Sequence, residues 1–159
     1  MRELARGEQG VSVIEFALIA PLLILLVVGF LDVARAMNAV VVLGSASEEG
    51  AHYAILNPAA TIPPGESVPP AIASAARART APLNASSITI TAEYYDNAGA
   101  TFRPWPSAGI PTSSPSTAGV IVRVRVSYPW SAVSAVAGNL LSTTGSNTLT
   151  ATSLMETRR

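Results

Sequence analysis

Residues 16–31 read FALIAPLLILLVVGFL, sixteen positions without a charge, and over residues 11–31 only Glu15 interrupts the apolar run. A hydrocarbon core about 30 Å thick is crossed by roughly 20 helical residues. A buried core helix of a soluble protein seldom carries Leu, Ile and Val around its whole circumference. The run therefore predicts a transmembrane helix, with a cleaved signal sequence or a buried helix as the alternatives. Residues 32–56 contain no proline and many helix formers, so the helix is expected to run on to Asn57-Pro58, where the residue before a proline is pushed out of the helical region. From residue 11 to 56 it would measure roughly 70 Å at 1.5 Å per residue, so its second half must stand outside a bilayer. That half offers apolar surface at Val33, Met37, Val40, Val41 and Leu43, polar surface at Asp32, Arg35, Asn38, Glu48 and Glu49, and small residues at Ala34, Ala36, Ala39, Gly44, Ala46 and Gly50. It is expected to carry a domain on one side. Pro21, inside the run, removes a backbone donor and crowds the carbonyl four residues earlier, which predicts a kink.

The rest of the composition agrees with a chain that partly avoids water. Of its 159 residues 13% are charged and 49% hydrophobic, against about 25% charged in ordinary soluble proteins. The length suits one compact domain plus an extra element. Ten basic and ten acidic residues leave no net charge to recruit nucleic acid. With no cysteine, disulfides and thiolate metal sites are excluded.

Glu15 is the most informative residue, because a carboxylate in a bilayer interior costs about 2.5 to 3.5 kcal/mol on insertion scales. It stands five positions after Gly10. Cutting the Gly10–Val11 bond would create an α-ammonium at Val11, one helical turn before Glu15, able to neutralise it within the subunit or across to a neighbour. Gly10 suits such a cut, since a residue without a side chain lets a protease approach the bond.

The run Gly10-Val11-Ser12-Val13-Ile14-Glu15-Phe16 resembles the cleavage site of type IV pilins, and Gly-x-x-x-x-Glu-Phe resembles that of tight-adherence (Tad) pilins and pseudopilins. Arg6-Gly7 before the site, Pro21, Gly29 followed by Asp32 and Arg35, and the run from Ala46 through Gly50 to Ala51 are similar to the TadE-like domain. The resemblance covers residues 6–51. It implies a TadE-like minor pilin, or pseudopilin, whose residues 1–10 are a cytoplasmic leader removed by a prepilin peptidase that reads Gly10, Val11, Glu15 and Phe16. It further implies other pilin and pseudopilin subunits, an inner-membrane assembly platform with its ATPase, and an outer-membrane secretin in a diderm cell as partners. The expected location is the inner membrane, single-pass, N-terminus cytoplasmic, and then the pilus or cell surface, serving adhesion and biofilm formation. Arg2 and Arg6 favour an inside N-terminus, but Glu3 and Glu8 beside them weaken that signal. Asp32 and Arg35, spaced i, i+3, form either an interfacial ion pair or a contact with a neighbouring subunit or the platform.

Beyond the helix, residues 57–70 hold five prolines and read as a linker. A short helix over residues 71–80 with Pro70 in its first turn, a strand over residues 88–94, a turn at residues 96–99 and a short return at Phe102 follow. Residues 103–117 read as an exposed loop. Residues 120–128 alternate valines with Arg123 and Arg125 and form the clearest strand, closed by Pro129; residues 148–155 give a last strand and residues 138–147 a polar loop. The valine face needs cover, which the outer half of the long helix provides. The fold class is α+β, pilin-like: a long N-terminal helix packed against a small antiparallel sheet. Its domains are the leader (1–10), the membrane part (11–31) and extramembrane part (32–56) of the helix, the linker (57–70) and an exterior domain (71–159).

No enzyme emerges. His52 is the only histidine; with Glu48 it reads as a solvated helix pair, not a metal site. No G-x-S-x-G, phosphate loop or nucleophile with a base occurs, and no cofactor or small-molecule substrate is implied. Arg77 with Arg79, and Arg123 with Arg125, read as exposed faces too sparse for nucleic acid. Two alternatives remain: a secreted protein whose signal peptide is cleaved near Ala36, after the small residues of Ala34-Arg35-Ala36, and a membrane-anchored binding domain.

Overall fold

In the structure, a computed structural model, residues 4–110, 119–133 and 146–156 are described, apart from the side chains of residues 4–9 and 146. The chain divides into two compact units, Met1–Ala36 with Ser131–Ser146 and Met37–Trp130 with Asn147–Arg159. Helix α1 (Leu4–Leu56) contributes to both. It begins seven residues earlier than expected from the apolar run. Nothing before Gly10 breaks it, since Leu4, Ala5, Arg6, Glu8 and Gln9 are good helix formers and an interior glycine costs only about 1 kcal/mol. It remains one helix through Pro21. It ends at the Asn57-Pro58 boundary, where the Asn57 N–H still donates to the Tyr53 carbonyl at 3.1 Å.

The second unit is built on the outer part of α1, on α2 (Pro70–Ala78), and on the strands β1 (Thr89–Asp96), β2 (Thr101–Pro104), β3 (Ile121–Ser131) and β4 (Ser146–Glu156). They form one sheet in the order β2-β1-β3-β4, with β1 antiparallel to both neighbours. Alternation along β3 turns Val122, Val124 and Val126 inward, all fully buried, where they meet Leu43, Ile72 and Ala76 in one core.

The helix does not use the face that its larger residues suggested. Of the five apolar positions expected to carry the domain only Leu43 is buried, whereas Val33, Met37, Val40 and Val41 stay exposed. The buried face is Ala39, Leu43, Ala46, Ser47, Gly50, Ala51 and Ala54. Small side chains let the helix backbone come close: a Cβ on Gly50 would lie 3.0 Å from Val124 Cγ1 and 3.2 Å from Ala76 Cβ.

β3 also runs past Pro129, which had been expected to close it. The β1 register ends with Thr89 opposite Ser127, so Pro129 lies beyond β1 and its missing N–H sacrifices no bond on that side. Arg123 is not a free exposed charge: it is half-buried, donates to Glu93 across the β1–β3 pair and stacks 3.9 Å from the centre of the Phe102 ring. Arg79 donates to Glu49 of α1 at 3.1 Å.

The proline-rich stretch after α1 is stitched to the residues after β2. The Ile110 N–H donates to the Pro58 carbonyl at 2.7 Å, the Ile62 N–H to Ser107 at 2.9 Å, and the indole N–H of buried Trp105 to the Ala60 carbonyl at 2.8 Å. Gly109, at φ +82, lies against the Ala59 backbone so closely that a Cβ would sit 2.6 Å from it. Only glycine combines that conformation with that approach. Most of the polar loop read over residues 138–147, and residues 111–117 of the loop before β3, lie outside the described residues.

Candidate processing and assembly segment

Gly10, Val11, Glu15 and Phe16 all lie in helical backbone within the first unit, and all are exposed; Phe16 is 68% and Val11 57% accessible. At i, i+4 spacing Val11 and Glu15 share one face, so an amine freed at Val11 would arise one turn from the carboxylate. Among the described residues Glu15 has no hydrogen-bonding or ion-pair partner. The helix is long and apolar enough to cross a membrane, and its most apolar window is not buried at all among the described residues. A soluble core helix of that composition would be covered; this one presents Ile14, Leu18, Leu22 and Leu26 to its surroundings.

The apolar run ends at Asp32, whose environment differs from that of Glu15. Asp32 is 1% exposed, its Oδ1 accepts the Val133 backbone N–H at 3.0 Å, and Arg35 approaches the same oxygen at 3.7 Å. The Arg35 side chain is 58% exposed, so this ion pair is solvated on one side. Asp32 and Arg35 are thus brought together, while Gly10, Val11, Glu15, Phe16 and Pro21 lie farther back along the same helix.

With Gly10, Glu15, Phe16, Pro21, Asp32 and Arg35 all in place on one unbroken helix, comparison with known families bears on that helix alone. Residues 10–52 match the TadE-like protein family. The TadE-like match starts at Gly10 and takes in every candidate site residue read from the sequence, which bears out the resemblance carried by Gly10-x-x-x-x-Glu15-Phe16. No curated protein and no solved structure gives a match to the chain. The TadE-like segment and the unburied apolar helix together fit a pilin-like protein with a single-pass membrane anchor.

Two features of the TadE-like segment escaped the sequence reading. One is the bond from Val133 to Asp32, separated by a hundred residues and without any local signal. The other is the small-residue face, which does have a signal: Ala39, Leu43, Ala46, Gly50 and Ala54 recur at three- and four-residue spacing, the period of one helix face. Near the end of the match, Ser45, Glu48, Glu49 and His52 line a shallow depression with Arg79 and Met155. Among the described residues no group of His, Cys, Asp or Glu is placed to hold a metal ion.

Proposed function

We propose that this chain is a minor pilin of a Tad pilus, a structural subunit and not an enzyme, that is cut between Gly10 and Val11 by a prepilin peptidase and joins other subunits through α1. The observation that carries the reading is Glu15: an exposed carboxylate, without a partner among the described residues, at the head of an unburied apolar helix, five residues after Gly10, inside a TadE-like match. In lipid such a group needs a counter-charge, and cleavage supplies one a helical turn away. Residues 1–10 are the leader in this reading, residues 11–31 the membrane part of α1, residues 32–56 its outer part, and residues 57–159 the connection and the exterior domain. Pro21, which lacks the N–H that would bond the Ala17 carbonyl, gives the membrane part a place to bend as the subunit passes from bilayer to filament. An inner-membrane platform and its ATPase complete the machinery, and adhesion is the outcome.

The alternative of a signal peptide cleaved near Ala36 fits poorly. That cut would remove Asp32, the acceptor of the Val133 N–H, and the part of the first unit that residues 131–133 pack with.

The test is Glu15→Leu in the cell. Removing the carboxylate favours insertion by about 3 kcal/mol on the same scales, so the chain should remain membrane-bound while surface pili decline. Wild-type piliation from that variant would contradict the role given to Glu15.

A further inference from the structure

A second segment of the chain is tied to the end of the apolar run. Asp32 closes the uncharged run of residues 16–31, so in a spanning α1 it marks the outer boundary of the hydrocarbon. The Val133 backbone is held to that point by its N–H bond to Asp32 Oδ1 at 3.0 Å. Among the described residues nothing covers its side chain: Val133 is 73% exposed, an exposure comparable to that of Phe30 (69%) and Leu31 (59%) of α1. The chemistry of the surrounding sequence points the same way. From Val126 to Met155 there is no charged residue at all, in contrast to Arg123, Arg125 and Glu156 on either side.

We propose that the stretch leaving β3, at Ala132 and Val133, docks on the lipid bilayer at the interface where α1 emerges, with the Asp32 carboxylate as the tether that keeps it there. A neutral, apolar contact without lysine or arginine is suited to the acyl-headgroup boundary itself and does not depend on anionic lipids. Tying the Val133 N–H to a carboxylate satisfies a backbone donor that would otherwise be costly to bring next to hydrocarbon. The consequence is a subunit anchored at two points, with residues 132–133 held at the membrane face until the subunit leaves the bilayer. This inference rests on α1 spanning the membrane, and its test separates the two.

The chain has no cysteine, so single cysteines can be labelled cleanly in the full-length protein. An environment-sensitive nitrobenzoxadiazole probe would be placed on Val133→Cys, on Leu25→Cys within the apolar run, and on Asn97→Cys in the turn after β1, each reconstituted in phosphatidylcholine vesicles. The Leu25 probe should be quenched by doxyl-labelled lipid and the Asn97 probe by aqueous iodide. The Val133 probe should follow Leu25: blue-shifted emission, strong quenching by doxyl groups near the headgroup end, and iodide quenching several-fold below that of Asn97. Adding Asp32→Ala should move the Val133 probe several-fold towards iodide accessibility. Iodide quenching at 133 equal to that at 97, with 25 in lipid, would overturn the second contact while leaving the anchor intact. An iodide-accessible probe at 25 would overturn the anchor and this inference with it. Unchanged lipid quenching at 133 in the Asp32→Ala chain would overturn the tether.

Discussion

Two glycines on the outer part of α1 should respond differently to the same substitution. Gly44 has nothing within 4 Å of the position a Cβ would take, whereas a Cβ on Gly50 would meet Val124 Cγ1 at 3.0 Å and Ala76 Cβ at 3.2 Å. Replacing an interior helical glycine by alanine gains about 1 kcal/mol from backbone entropy alone. Gly44→Ala should therefore stabilise the second unit by close to that amount. At Gly50 the gain is opposed by overpacking, because carbon atoms prefer about 3.5 to 4.0 Å and both neighbours are fully buried. Val124 is fixed in the middle of β3 and Ala76 can retreat only by moving α2. Forcing a methyl into such a site costs typically 1–3 kcal/mol, which leaves Gly50→Ala neutral to about 2 kcal/mol destabilised. The comparison is read by thermal unfolding of the full chain in detergent, where 1 kcal/mol moves the midpoint by a few degrees in a unit of this size, about 2–8 °C. Gly44→Ala should raise the midpoint and Gly50→Ala should lower it or leave it unchanged. Equal increases for both would refute the close approach of α1 to the sheet at Gly50.

Asp32→Ala removes the acceptor of the Val133 N–H, a charge-assisted bond worth about 1.5–3 kcal/mol, so hydrogen exchange at residues 131–133 should accelerate by roughly ten- to a hundredfold. Asp32→Asn, which keeps an acceptor oxygen, should show a smaller change. The solvated Arg35 partner matters less, and Arg35→Ala should alter that exchange little. Trp105→Phe deletes the bond to the Ala60 carbonyl and part of a buried ring, and should lower stability by about 1–3 kcal/mol in denaturant titrations while leaving the secondary structure intact.

The long apolar helix was legible because its determinants are local: sixteen uncharged residues, no breaker other than Pro21, and an Asn-Pro stop. The strands were legible for the same reason, since valine-arginine alternation from Val122 to Val126 fixes both the element and its buried face. Strand ends were not, because they depend on partners: Pro129 lies beyond the last β1 pair, so β3 continues past it without losing a bond on that side. The helix face was misjudged because side-chain size was read as burial. Met37, Val40 and Val41 are the larger residues, but close packing of a helix on a sheet selects Ala39, Ala46 and Gly50. In the candidate segment, Gly10, Glu15 and Phe16 form a motif of spacing alone, local in the sequence, and the TadE-like match over residues 10–52 covers it. The link from Asp32 to Val133 spans a hundred residues, and nothing in a single sequence announces it.

The central claim is that a leader ending at Gly10 is removed so that an amine at Val11 can balance Glu15. It is tested most directly by the intact mass and N-terminal sequence of the protein recovered from membranes of cells with and without their prepilin peptidase. A mature chain beginning at Val11, replaced by the full-length form when the peptidase is missing, is the predicted result. A chain beginning at Met37, or one that still begins at Met1 in both strains, would contradict it.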